Sequence, residues 1–376
     1  MRAQIRGLSQ AQNNTADGVS VLNTAEGAIT EIQSMLTRLK ELSVQAANDV
    51  NSDDEREAIQ KEIEQINNEI DRISDQTEFN TQSLINGNLS RRVYSDLQGV
   101  NQISVSDSYT AGVYGITVTE DARQAIAVGA GSITMSSTAS ITEEQAGAIN
   151  INGYKISISE GDTLDKVMGK IIDGVNITGG SAFTVKDLNN DTAANGTDYA
   201  GYVPTADYAG STLVIMTNQY GSDQKMNITC DNAELAEILG IPQAATQDGI
   251  YVEGSDVKAE IATGDDGKRI GFADSAILST KGTVITVTDV NNKEFSMDVP
   301  GNAAGSEFDD SNNDGQSAAG AGTAKTISQE VTDVGTMSIH VGANQDQVIV
   351  IDIPAITTYS LGTEHMNVMT QYTASR

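Results

Sequence analysis

Proline is absent from Arg2 to about Ala47, and over that run apolar residues return at helical spacing: Val21, Ala25, Ala28, Ile32, Met35, Leu39, Leu42 and Ala46. The spacing predicts one apolar stripe on a single long helix. Unbroken, such a helix reaches roughly 70 Å at about 1.5 Å per residue, well beyond an ordinary globular helix. A rod of that length cannot shield its own apolar side, so it needs helices alongside it.

The rod ends in the polar cluster Asn48–Asp54, where Ser52 followed three residues later by Glu55 reads as a capping box that starts a second helix. Ile59, Ile63, Ile66, Ile70 and Ile73 then recur at steps of four, three, four and three, with charges on the other faces. Each isoleucine contributes roughly 1.5–3 kcal/mol if fully buried. A short polar turn between two long helices makes them antiparallel neighbours. Ile32 and Leu39 from the first stripe, with the five isoleucines of the second, are therefore the expected core of a helix pair.

After Phe79 the pattern changes to short alternating runs divided by turn dipeptides such as Asn86-Gly87, Asn152-Gly153 and Asn195-Gly196. Residues 148–158 suggest a hairpin, followed by a helix over about Thr163–Asp173 with caps supplied by Ser159 to Asp162. Strands follow at Phe183–Leu188, Leu213–Thr217 and Met226–Cys230, and a short helix at Ala233–Leu239 stops at Gly240. A second β-rich stretch, clearest at Thr283–Thr288 and Phe295–Val299, closes at Pro300. Gly301–Ala324 holds too little apolar area to offset its ordering entropy and reads as a linker. Alternation returns at Thr336–Val341 and Val348–Ile353, and Leu361–Arg376 reads as a loop entering a new helix.

The fold class expected is α+β and multidomain, a long antiparallel helical hairpin or bundle core with inserted β-rich outer domains. The expected divisions are a helical core at 1–90, an α+β outer domain at 91–249, a second β-rich region at 250–329, and a β segment returning to the core at 330–376.

Charge narrows the function. With 22 basic and 52 acidic residues the net charge is -30, which repels nucleic-acid phosphates and anionic lipid headgroups, so neither nucleic acid nor membrane is expected as a partner. Trp is absent and aromatics are 4%, so cores built mainly from Ile, Val, Leu, Ala and Met are expected, and a deep ligand pocket is not. Cys230 is the only cysteine, which rules out an intramolecular disulfide. The N-terminus lacks the basic-then-apolar layout of a cleaved secretory signal.

The helical segment resembles the N-terminal core of bacterial flagellins. The residues that carry the resemblance are Leu36-Thr-Arg-Leu-Lys-Glu-Leu-Ser-Val-Gln-Ala-Ala-Asn48, Glu62–Ile66, Glu69–Ser74 and Thr77-Glu-Phe-Asn80, with Asn14-Thr-Ala-Asp-Gly-Val-Ser20 and Ala25-Glu-Gly27 upstream. Val341-Gly-Ala-Asn344, Ile349–Ile353 and Leu361-Gly362 are similar to the family's β segment near that core, and residues 149–240 look like a repeat inserted in flagellins and hook-associated proteins. The resemblance implies an extracellular filament subunit that works by self-assembly, meets export and cap proteins, needs no cofactor and is no enzyme. It also implies recognition by a vertebrate Toll-like receptor, with the family's contact residues falling on Arg38, Leu42 and Glu62. The long helices with which flagellins begin and finish are outside this sequence, and without them the chain alone is not expected to form native filaments. Rival readings are a hook-filament junction protein and a glycan-binding adhesive module in the β-rich insert.

Weaker patterns are weighed against ordinary structure. Asp310-Ser-Asn-Asn-Asp-Gly315 has the spacing of half a calcium loop, but its twelfth position is Ala321 where such loops carry Glu, and Asp- and Asn-rich linkers produce such strings easily. His340 and His365 have no Cys or carboxylate at ligand spacing, so no metal site is expected. Nor is there a nucleophile elbow, phosphate loop or triad order.

Overall fold

The computed structural model describes residues 2–48, 51–106, 109–185, 208, 210–241, 249–264, 267–289, 293–301, 308–309, 318–319, 324–332, 334–344 and 347–369. The calcium-like string Asp310–Gly315 with Ala321, the Asn195-Gly196 turn, most of Gly301–Ala324 and the end of the Leu361–Arg376 segment lie outside these residues.

The first helix, α1, runs Arg2–Ala46 over 45 residues, and the second, α2, runs Asp53–Gln76 over 24. Ser52 caps α2 as its spacing predicts: its hydroxyl accepts from the Glu55 backbone N–H, and the Glu55 carboxylate accepts from the Ser52 N–H at 2.8 Å. Val21, Ala25, Ile32, Leu39, Leu42 and Ala46 on α1 share one apolar core with Ile59, Ile63, Ile70 and Ile73 on α2, and Ile66 is half-buried at its margin. The pair does not close that core alone. Leu84, Ile85 and Leu89 enter from the chain leaving α2, and Ile351, Ile353 and Val368 enter from the returning chain.

Every strand pairing among the described residues is antiparallel. One β-rich core spans residues 125–252. Its hairpin joins Gly147–Ile151 to Tyr154–Ile158 through Asn152 and Gly153, both at positive φ (51° and 87°), the left-handed turn that Asn-Gly favours. Lys225–Cys230 and Ile250–Glu253 complete that sheet, and Ile126–Ser132, Thr212–Thr217 and Gly180–Val185 form a second one. The helix α3, Leu164–Ile177, and the short α4, Ala233–Ile238, pack on them. α3 differs from expectation in two respects. Its cap is Thr163, not a residue of Ser159–Asp162, and it runs on beyond Asp173 because Val175 still has core to bury against.

The other β-rich core draws on residues from both sides of that unit. One sheet orders Lys258–Ile261, Gly112–Glu120, Lys325–Val331 and Val93–Ser95, and the other orders Ile277–Lys281, Val284–Asp289, Lys293–Asp298 and Asn101–Val105. This core too is built mainly from Ile, Val, Ala and Met, as expected. Within it Tyr109, Tyr114, Phe272 and Phe295 cluster with ring centroids 5.0–6.0 Å apart.

The chain returns through the hairpin Met337–His340 and Val348–Ile351, which lies on α1: the Asn14 amide donates to the His340 carbonyl at 3.0 Å. A four-residue helix, α5, follows at Thr358–Leu361 and stops at Gly362, whose φ of 71° ends it in the left-handed region.

Candidate functional site: the outer faces of the helical hairpin

Ser52 starts α2 only a few residues after α1 has ended, so the two helices leave the turn side by side. Arg56, on the first turn of α2, reaches back and donates to the carbonyls of Ala46 and Asn48, the latter at 3.1 Å. It is 5% exposed, and it supplies donors to carbonyls that a helix C-terminus leaves without partners. The sequence offered no signal for this, because the cap comes from a different helix.

Farther from the turn, Arg38 of α1 meets Glu62 of α2. Its Nη2 and Nε both donate to Oε1, at 2.7 and 3.0 Å, and Nη1 lies 3.3 Å from Glu41. The hydrogen bond to Glu62 is the main cause that raises the Arg38 pKa further above its ordinary value. Both side chains are nearly half exposed, at 47% and 43%, so the pair adds little to stability and stays open to other molecules. Leu42 is placed differently. It is 1% exposed and points into the helical core, so it does not share the accessible surface of Arg38 and Glu62.

α1 also has a second apolar face. Leu8, Leu22 and Ile29 are separated by multiples of seven residues, with Ile5 and Val19 each three residues before a leucine, and all five remain exposed, between 39% for Ile29 and 66% for Ile5. The stripe beginning at Val21 is the face that α2 covers, whereas this one is left open. Val348, Ile349 and Val350 add exposed apolar area on the hairpin beside α1. Scattered apolar exposure is ordinary, but a row repeating along a helix needs a partner.

The remaining candidates are quiet. Among the described residues no three His, Cys, Asp or Glu side chains gather as metal ligands would, and no helix is long and apolar enough to cross a membrane. His340 contributes its carbonyl to Asn14, and His365 lies 4.0 Å from Glu364. Cys230 is buried with its thiol donating to the Asn232 carbonyl, and burial pushes the thiol pKa up, away from reactivity.

Residues 1–90 match the family model for the bacterial flagellin N-terminal helical region. The chain is 36% identical over 194 residues to a flagellin of Clostridium tyrobutyricum, covering 44% of this chain and 51% of that protein. It is 31% identical over 285 residues to a flagellin of Salmonella typhimurium, covering 71% and 54% respectively. The chain thus spans about half the length of these relatives. Among solved structures, the D1-D2-D3 domains of the Escherichia coli flagellar cap protein align over 82% of this chain and 63% of that one, at 12% identity and a TM-score of 0.37, too low a score to carry an argument about shared architecture.

Proposed function

The chain belongs to the bacterial flagellin family, and from that premise we propose that it is a structural subunit of the extracellular flagellar filament, working by self-assembly in motility. The observation that carries this reading is the open apolar row Ile5, Leu8, Val19, Leu22 and Ile29 on α1. A subunit whose one face meets a different face of the next copy builds an open helical array, and a long rod with a second apolar side suits that geometry. In this reading residues 1–90 and 330–376 form the core domain, within a larger helical bundle. Residues 91–329 form the outer domains, and cap and export proteins are further partners. No chemistry is assigned to the chain.

The test is complementation of a flagellin-null bacterium with a gene that joins this sequence to the terminal helices of a flagellin, and with the Leu22→Glu/Ile29→Glu variant of that gene. The gene restores filaments seen by electron microscopy, and the variant is made and exported but yields none. Filaments of equal length from the variant refute the role of this face. Short adaptor segments from the unaltered gene point instead to a hook-filament junction protein.

A second reading rests on the exposed Arg38–Glu62 pair, which offers a charged surface spanning both helices. We propose that it is the part of the chain recognised by the vertebrate flagellin-sensing Toll-like receptor, with Leu42 shaping that surface from beneath. Arg38→Glu should abolish activation of reporter cells bearing the receptor. Unchanged activation removes the assignment.

A further inference from the structure

We propose that α2 carries a clamp of Gln60, Asn67 and Asp71 that holds the returning segment 358–368 as a strap, and that this strap fixes the β-rich units to the helical hairpin. The three residues stand at steps of seven and four, which places them along one face of α2. Gln60 uses both ends of its amide: Nε2 donates to the Met366 carbonyl at 3.1 Å, and Oε1 accepts from the Val368 N–H at 2.9 Å. Asn67 donates to the Thr363 carbonyl at 2.8 Å. Asp71 accepts from the Thr358 N–H at 2.8 Å and from the Thr358 hydroxyl at 2.7 Å. As the numbers rise along α2 they fall along the strap, so the segment runs antiparallel to the helix.

Apart from the Thr358 hydroxyl, the clamp bonds to the strap only through the strap's backbone. It therefore substitutes for a neighbouring strand, satisfying main-chain groups that an irregular segment would otherwise leave to water. Side chains anchor the strap from the other direction: Val368 is 1% exposed within the helical core, and Leu361 and Met366 pack against that core.

The same short segment also reaches both β-rich units. The Tyr359 hydroxyl donates to the Asp298 carboxylate on the strand Lys293–Asp298 and accepts from the Asn101 amide at 3.4 Å. Asn367 donates to the carbonyl of Ile177, the last residue of α3, at 3.1 Å. Hydrogen bonds hold most of this arrangement, so the strap can open without unfolding the helix pair. Release would loosen both β-rich units together.

Hydrogen exchange of the intact chain, with distance measurement between spin labels at Glu57 on α2 and Asp173 on α3, tests both halves. Asp71→Ala, and separately Gln60→Ala as a variant that keeps the carboxylate, should accelerate exchange in a peptide covering 355–368 by roughly tenfold or more while the α2 peptide around Ile63 is unchanged. Each should also broaden the label distance distribution. Asn367→Ala should broaden that distribution without accelerating exchange in the strap. Unchanged strap exchange in both clamp variants overturns the clamp. Faster exchange with an unaltered distance distribution overturns the strap's hold on the outer units.

Discussion

Asp162 is 5% exposed and bound on three sides: by Lys166 at 2.7 Å, by Lys170 at 2.6 Å and by the Ser159 N–H at 3.0 Å. The two lysine ammonium groups, Lys166 first, and then the Ser159 N–H hold its carboxyl well below the ordinary aspartate range. A depressed carboxylate contributes stability that is fully present above its unfolded value, about 4, and is lost as pH falls toward the folded one. Asp162→Asn should therefore be less stable than the parent near about pH 6, with the gap narrowing below about pH 4. Urea midpoints across that range test it, and a gap independent of pH would exclude the ion cluster as its source. The residue ends the run Ser159 to Asp162 that the sequence marks as the helix cap. Thr163 took the cap because its hydroxyl reaches the Lys166 N–H, which left Asp162 to gather lysines one turn into the helix and beyond.

At the scale of elements, α3 contains two interior glycines with opposite surroundings. A Cβ at Gly169 would meet nothing within 4 Å, whereas one at Gly174 would lie 2.5 Å from Ile156 Cδ1 and 2.7 Å from Cγ1. Gly169→Ala should stabilise by about 0.5–1 kcal/mol through helix propensity. Gly174→Ala should destabilise by about 1–3 kcal/mol, because Ile156 is buried in the strand beneath and has little room to move. Thermal unfolding of the two variants reports the signs, and stabilisation by Gly174→Ala would mean that helix and sheet are not so closely packed. Helix and strand identity here were legible from spacing and turn dipeptides. The difference between the two glycines was not, since it depends on which strand lies under which turn. The strand Lys325–Val331 was likewise unread. It follows a Gly- and Ala-rich run, and its partners Gly112–Glu120 and Val93–Ser95 lie more than two hundred residues earlier.

For the whole molecule, 52 acidic against 22 basic residues leave a net charge of -30 whose self-repulsion opposes every compact state. Raising salt from about 10 mM to about 150 mM shortens the screening length to about 8 Å, so the melting temperature should rise. Exposed ion pairs such as Arg38–Glu62 and Lys61–Glu57 weaken under the same screening, so a fall in calorimetry would mean that local pairs outweigh the global repulsion. The sequence by itself determined the long helices, the turn and capping box between them, and the isoleucine row that faces α1. Those features follow from contacts three or four residues apart, which helix geometry imposes wherever the spacing occurs. Only the tertiary structure decided that Arg56 closes the end of another helix, that the returning chain adds Ile351, Ile353 and Val368 to the helical core, and that segments on both sides of residues 125–252 meet in one core. Each of these depends on which distant segments come together, and spacing along the chain carries no record of that.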